Sequence, residues 1–341
     1  MKKAYSKSII SAVLVCLVTV AAGCDIQVSS SSWPRAESER TEQLSAPLAD
    51  GSMVEIETSR GSITITGADV QTCSITATIK AWAENEEEAK ELAEQTKIEL
   101  NSSDKKLAII TVRPKLKNNQ SIGVDFDLIV PRKTHIQCAS SRGSIKVTNI
   151  QGDLESTVSR GSITAEAIQG SAELTTSRGN IACKDISNGD IKLQTSRGHI
   201  NLGDASADSL LLVSSRGHID VCKTSAATAH ISSSRGHITC KDITFAKLTG
   251  EISRGNFSID YSQSSPPEIA ADITTSRGNI DFVTPPAFAG PVDLCVSRGD
   301  INTKLAIKTE GEISKEQITG TVGQGNGKLN LRTSRGSITI K

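Results

Sequence analysis

The tripeptide Ser-Arg-Gly occurs eleven times, at Arg60, Arg142, Arg160, Arg178, Arg197, Arg216, Arg235, Arg254, Arg277, Arg298 and Arg335. From Arg142 to Arg254 the intervals are 18, 18, 19, 19, 19 and 19 residues, then 23 and 21. A short repeat at so constant a period restricts the chain to a stacked array. The last interval, 37, reads as two periods with a decayed copy, Ser314-Lys315-Glu316, in the middle. That gives about eleven coils from Ile136 to the C-terminus, plus one separate copy at Arg60.

Aligned on the arginine, apolar residues alternate with polar ones, the pattern of strands buried on one face. Six, four and two residues before it stand Ala172, Leu174, Thr176, then Ile191, Leu193, Thr195, then Leu210, Leu212, Ser214. Three after it the residue is Ile in every copy but one, where it is Phe257. Five after come Val147, Cys183, Leu202, Val221, Cys240 and Ile259. From two before to three after is an odd step, so the alternation loses phase and the chain turns at Ser-Arg-Gly, where Gly supplies the backbone angles. A short third side then ends near Gly152, Gly170 or Gly189. No coil has room for a crossover helix. Each strand therefore stacks in parallel on the next coil, and the expected fold is all-β, a parallel β-solenoid of about 11–12 coils, about 50 Å long at the inter-strand spacing of ~4.8 Å. The handedness of parallel crossovers favours a right-handed winding.

Four regions follow. Residues 1–24 read as an export signal: Lys2, Lys3 and Lys7 precede an apolar run from Ile9 to Val20, too short to span a bilayer. The run ends in Ala21-Ala22-Gly23-Cys24, which resembles a bacterial lipobox and implies acylation of Cys24. The alternative is a plain secretory signal that leaves Cys24 a free thiol. Residues 25–50, Ser-rich with Pro34 and Pro47, read as a flexible tether. Residues 51–135 hold the first coil and a small α+β cap, with strands at Ile75–Trp82, Leu107–Val112 and Ile122–Val130 and a helix over Glu84–Gln95. Residues 136–341 are the solenoid.

The run Val124-Asp125-Phe126-Asp127-Leu128-Ile129-Val130-Pro131, then Thr134-His135-Ile136-Gln137 and Ser141-Arg142-Gly143-Ser144-Ile145-Lys146-Val147, resembles the bacterial putative-adhesin family of β-solenoid envelope proteins. The resemblance covers about Met53 to Lys341. It implies a cell-envelope β-helix, often lipid- or membrane-anchored, without known catalytic residues. Arg before nearly every corner Gly departs from the family pattern, so nothing about that arginine is inherited.

Lys plus Arg and Asp plus Glu balance at 38 each, so no overall charge drives the chain onto nucleic acid. Cys183 and Cys240 share one inward offset three coils apart, beyond disulfide reach, and Cys222 should face outward; mostly unpaired thiols are expected. The arginines should form a column, each ~4.8 Å from the next, where neighbours repel by about 1 kcal/mol in water. Either each guanidinium is tied to corner carbonyls or to acids such as Glu155, Glu173, Asp272 and Asp293, or Arg160, Arg178, Arg197, Arg216, Arg235, Arg254 and Arg277 form a binding strip for an anionic polysaccharide.

His199, His218 and His237 follow the corner Gly in three successive coils and should stack; a Zn or Cu site there is the weaker reading, a solvated column the stronger. Asp185, Asp204 and Asp242, seven residues after their arginines, form a row without the single mixed constellation an enzyme needs. The expected function is a noncatalytic, cofactor-free, exported envelope protein on a lipid anchor, which binds anionic polysaccharide or another envelope protein. The alternatives are a self-assembling β-helix scaffold and a polysaccharide-cleaving β-helix enzyme.

Overall fold

The computed structural model describes residues 36–309 and 314–341. The proposed signal and Cys24 lie outside the described residues. Successive repeats pair in parallel and in register: Leu154–Arg160 lies on Ala172–Arg178 with Arg160 opposite Arg178, and Ile163–Gln169 on Ile181–Ser187 with Ile163 opposite Ile181. The file of Ile residues three after each arginine forms the spine of the core, with Ile163, Ile181, Ile200, Ile219 and Ile238 all at 0% exposure. Each such residue contributes roughly 1.5–3 kcal/mol on burial.

Corner glycines adopt φ from +126° at Gly61 to +153° at Gly198. A Cβ at Gly217 would stand 1.8 Å from the carbonyl oxygen of Gly198, the corner Gly of the neighbouring coil, and the other corners are as tight. The motif's Gly is therefore fixed by both angle and space. Below it, in six coils, a buried hydroxyl two residues before the arginine donates to the corner Gly carbonyl of the neighbouring coil, for example from Thr176 to Gly161 at 3.0 Å and from Thr195 to Gly179 at 3.1 Å; Val158, Ile252 and Val296 hold the position elsewhere.

A second corner lies seven residues after the arginine. Asn149, Ala167, Asp185, Asp204, Lys223 and Asp242 all have φ between +49° and +61° there. Asn and Asp tolerate this left-handed conformation best among residues with a side chain. The row Asp185, Asp204 and Asp242 thus has a backbone role. Farther along, Gly152, Gly170 and Gly189 give way to Asp208, Ala227 and Ala246, and there the third side merges into continuous strands, Ile200–Arg216, Ile219–Arg235 and Ile238–Arg254.

At the N-terminal end the strands are β1 (Ala36–Pro47), β2 (Ser52–Thr58), β3 (Ile63–Ala68) and β4 (Thr72–Ala83). The helix α1 (Glu86–Gln95), then β5 (Lys97–Ser103), β6 (Lys106–Val112) and β7 (Ser121–Pro131) complete the cap. Strands β2 and β3 stack directly on the Arg142 coil. On their other side β6 pairs with β2 and β7 with β3, both parallel, and β5, β4 and β1 add antiparallel strands that close the end. The tether expected over 25–50 is corrected from Ala36 onward: β1 pairs along its whole length with β4, and Leu44, Ala46 and Leu48 are buried. Its composition is polar because one face looks to solvent, and pairing with β4 outweighs weak strand propensity.

The C-terminal end departs from sequence order. Lys328–Thr333 and Ile338–Ile340 pair on one side with the Arg277 coil and on the other with the Arg298 strands Gly290–Val296 and Ile301–Thr303. The last coil in sequence therefore sits inside the stack, second from the end. The decayed copy Ser314-Lys315-Glu316 is not a coil corner; Gln317–Val322 runs antiparallel along Gly290–Val296 as an outer closing strand. Glu316 occupies the place of the corner Gly, whose positive φ and contact with the next coil a side chain cannot meet. Cys73, Cys138, Cys183 and Cys240 are buried free thiols, Cys295 is half-buried and Cys222 is exposed. Burial pushes the Cys73, Cys138 and Cys183 thiols up to about 12.

Candidate functional site

The eleven motif arginines form one file along the solenoid, in the spatial order Arg60, Arg142, Arg160, Arg178, Arg197, Arg216, Arg235, Arg254, Arg277, Arg335, Arg298. Their carbonyls are used: the N–H of every corner Gly but Gly299 donates to the arginine carbonyl of the next coil, as Gly198 does to Arg216 at 2.9 Å and Gly217 to Arg235 at 2.9 Å, and the Arg60 carbonyl accepts from the Val124 N–H. Their side chains are not. All but the half-buried Arg60 are exposed. Among the described residues none of the eleven guanidiniums makes a salt bridge or a side-chain hydrogen bond.

The acids that could have tied them down have other partners or another place. Glu173 binds Lys192 at 2.6 Å, Asp293 binds Arg332 at 2.8 Å, and Glu155 accepts from the Gln137 amide at 3.1 Å. They stand five residues before their arginines, and Asp272, at the same offset, is exposed. Flanking the file on one side is an unbroken row of Ser, one before each arginine. On the other side, two after, are Ser144, Ser162, Asn180, His199, His218, His237, Asn256 and Asn279. From Ser144 to Asn279 the arrangement is a cationic stripe bordered by hydrogen-bonding groups that carry no acid.

That second row has its own structural logic. The backbone N–H of each member donates to the side chain of the preceding one: Asn180 to Ser162 Oγ, His199 to Asn180 Oδ1, His218 to His199 Nδ1, His237 to His218 Nδ1 and Asn256 to His237 Nδ1, at 2.9–3.2 Å. Ser, Asn, Asp and His recur here because each offers an acceptor at the right reach. The imidazoles stack at 5.0 and 5.1 Å, nearly parallel. With Nδ1 accepting, the remaining proton of each neutral ring is on Nε2, and three parallel rings point their Nε2 atoms side by side instead of at one centre. This does not suit the converging ~2.0–2.1 Å bonds of Zn. Asp300 of Arg298-Gly299-Asp300 continues the same row, its N–H donating to Ser337 Oγ.

Sequence reasoning missed one member of the file and its neighbour. Leu107, Ile109, Thr111 and Arg113 repeat the spacing of Val54, Ile56, Thr58 and Arg60, and β6 lies on β2 with Leu107 opposite Val54 and Ile109 opposite Ile56. Arg113 therefore continues the arginine file into the cap, without a following Gly. Its Nη1 donates to Ser59 Oγ. Burial holds its guanidinium below the usual range, and the nearby charge of Arg60 adds to this, while Glu57 opposes it. Arg60 lies over the Trp82 ring, with its Cζ 5.9 Å from the centroid.

An open groove of about 460 Å³ runs across the outer face of the second strands, over Ala182, Gly203 and Cys222 and between Lys184, Lys241 and Asp220. Gly203 leaves open space where a side chain would stand. Its charges are mixed, and no His, Cys, Asp or Glu cluster fit to hold a metal occurs among the described residues.

The match to known families covers the cap from β2 onward and the whole stack. Residues 52–341 fit the family described as Toastrack DUF4097. The chain belongs to that family. Toastrack similarity extends to solved structures only distantly. A "putative adhesin" of Bacteroides fragilis is 12% identical over 88% of this chain and 97% of its own, with a TM-score of 0.36. One from Parabacteroides merdae is 11% identical over 88% and 96%, with a TM-score of 0.42. A "putative lipid binding protein" of Parabacteroides distasonis is 14% identical over 88% and 97%, with a TM-score of 0.41. No curated protein matches the chain.

Proposed function

We propose that this Toastrack protein is a noncatalytic, exported binding protein of the bacterial envelope, lipid-anchored through Cys24, whose arginine file binds an anionic polysaccharide. The carrying observation is the file itself: guanidiniums one coil apart, exposed, and free of acidic partners among the described residues. Neighbouring like charges cost about 1 kcal/mol per pair in water. The backbone does not require them, since the corner is built by Gly and by the hydroxyl beneath it. A polymer with an acidic group on successive units would neutralise the file, and the flanking Ser, Asn and His rows suit its hydroxyls. The scaffold alternative is less well supported, because antiparallel strands close both ends of the stack. Cleavage is disfavoured by the regularity of the outward rows and by the backbone role of the acid row.

Retention on immobilised polygalacturonate tests the binding. Wild type should be held at low salt, and a protein with Arg178, Arg197, Arg216 and Arg235 all changed to Gln should elute at clearly lower salt; equal retention overturns the reading. Mass spectrometry of the mature N-terminus tests the anchor, with diacylglyceryl Cys24 expected and a plain thiol there contradicting it.

A further inference from the structure

We infer that the cap end of the file is a distinct oxyanion subsite, formed by Arg60, Arg113 and the Trp82 ring, that seats one acidic group of the polymer more firmly than any other position on the ladder. This rests on the ladder reading above. Along the solenoid each arginine is exposed, and its guanidinium has no hydrogen-bond or salt-bridge partner among the described residues. At the cap two guanidiniums are held instead. Arg113 is half-buried and fixed by its bond to Ser59 Oγ, and Arg60 is half-buried and supported by Trp82.

Both side chains converge on Gly123 of β7, where the Arg60 Cγ, the Arg60 carbonyl oxygen and the Trp82 ring edge each lie 3.4 Å from where a Cβ would stand, an ordinary van der Waals distance. Asp125, two residues on, is already committed to Lys80 at 3.2 Å and to the Ser62 N–H at 2.7 Å. Glu57 is the acid that acts on Arg113, but no carboxylate oxygen lies within salt-bridge distance of either guanidinium among the described residues. Two cations brought together, one partly desolvated and neither in a salt bridge among the described residues, suit an oxyanion. Because the side chains are already ordered, less freedom is lost on binding there than on the open ladder.

The shared ligand chemistry is a carboxylate or phosphate carried on a polymer, and two probes separate the sources: oligogalacturonate for carboxylate and inorganic polyphosphate for phosphate. The sequence has two Trp, Trp33 and Trp82. In the full mature chain carrying Trp33→Phe, Trp82 emission reports this site alone. The expected result is a saturable emission change with one of the two probes. Arg113→Gln should weaken it about tenfold and the isolated ladder change Arg197→Gln less than about threefold. Arg113→Lys, which keeps the charge and the fold but loses the fork, should remain weakened. If polygalacturonate retention persists while Trp82 emission is silent, or if Arg113→Gln and Arg113→Lys bind no worse than Arg197→Gln, the subsite is overturned and the ladder stands. If neither retention nor emission responds, the ladder reading itself fails and the subsite falls with it.

Discussion

Arg216 and the adjacent Gly217 should respond to substitution in opposite directions. The Arg216 guanidinium stands between those of Arg197 and Arg235, about one coil from each, and the stacked rings beside it put the coil spacing at 5.0 and 5.1 Å. Two unit charges 5 Å apart repel by about 0.8 kcal/mol in water. Two neighbours give about 1.7 kcal/mol, and physiological salt reduces this to about 0.9 kcal/mol. Arg216→Gln should therefore be neutral or stabilise by up to about 1 kcal/mol. Gly217→Ala would put a Cβ 1.8 Å from the Gly198 oxygen at φ +149°. The coils must then part locally and lose the bonds from the Gly198 N–H to the Arg216 carbonyl and from the Ile200 N–H to the His218 carbonyl. Strain and two lost ladder bonds together cost about 3–5 kcal/mol. Urea unfolding followed by far-UV circular dichroism, compared by midpoint, suits a stacked array, and urea leaves the charge term unscreened. Should Arg216→Gln lower stability by 1 kcal/mol or more, the guanidinium supports the corner and the argument for a free binding strip is refuted.

Excising one repeat, Gly179 to Arg197, rejoins Arg178 to Gly198 and should give a folded rod shorter by about one coil, ~5 Å. Small-angle scattering reads the length, and a collapsed product contradicts the stacking. Ending the chain at Gly327 removes the coil that sits between the Arg277 and Arg298 strands. The two are then too far apart to pair, so loss of cooperative unfolding, dye binding and association through bare edges are expected; an unchanged urea midpoint contradicts the intercalated order. His218→Ala removes the acceptor of the His237 N–H and should cost about 1 kcal/mol, whereas His218→Asn, which matches Asn180 and Asn256, should be nearly neutral. Amide exchange at His237 distinguishes the two.

The period, the inward Ile file and the turn at Ser-Arg-Gly were legible because each coil repeats one local pattern, and eleven copies average out local exceptions. What escaped was whatever depends on a partner strand outside the repeat. Strand β1 has a polar sequence and exists through β4, and the place of Lys328–Ile340 in the stack depends on which edges remain open, which spacing cannot tell. The second corner left a trace in the odd step from Val147 and Cys183, five after the arginine, to Ile150 and Ile186, eight after. The candidate site was half legible: the arginine column follows from the period, but its lack of acidic partners depends on where Glu155, Glu173 and Asp293 turn. Arg113 was hidden because Pro114 stands where the motif has Gly, although Leu107, Ile109 and Thr111 carry the spacing.

The salt dependence of polyanion binding tests the central claim most directly. Each arginine that neutralises an anionic group releases a counterion, so log affinity falls linearly with log salt. Changing Arg178, Arg197, Arg216 and Arg235 to Gln should lower that slope by roughly one per residue removed, with the urea midpoint held or raised. An unchanged slope in a protein that remains folded would mean that the polymer is bound elsewhere and that the arginine file is not the binding surface.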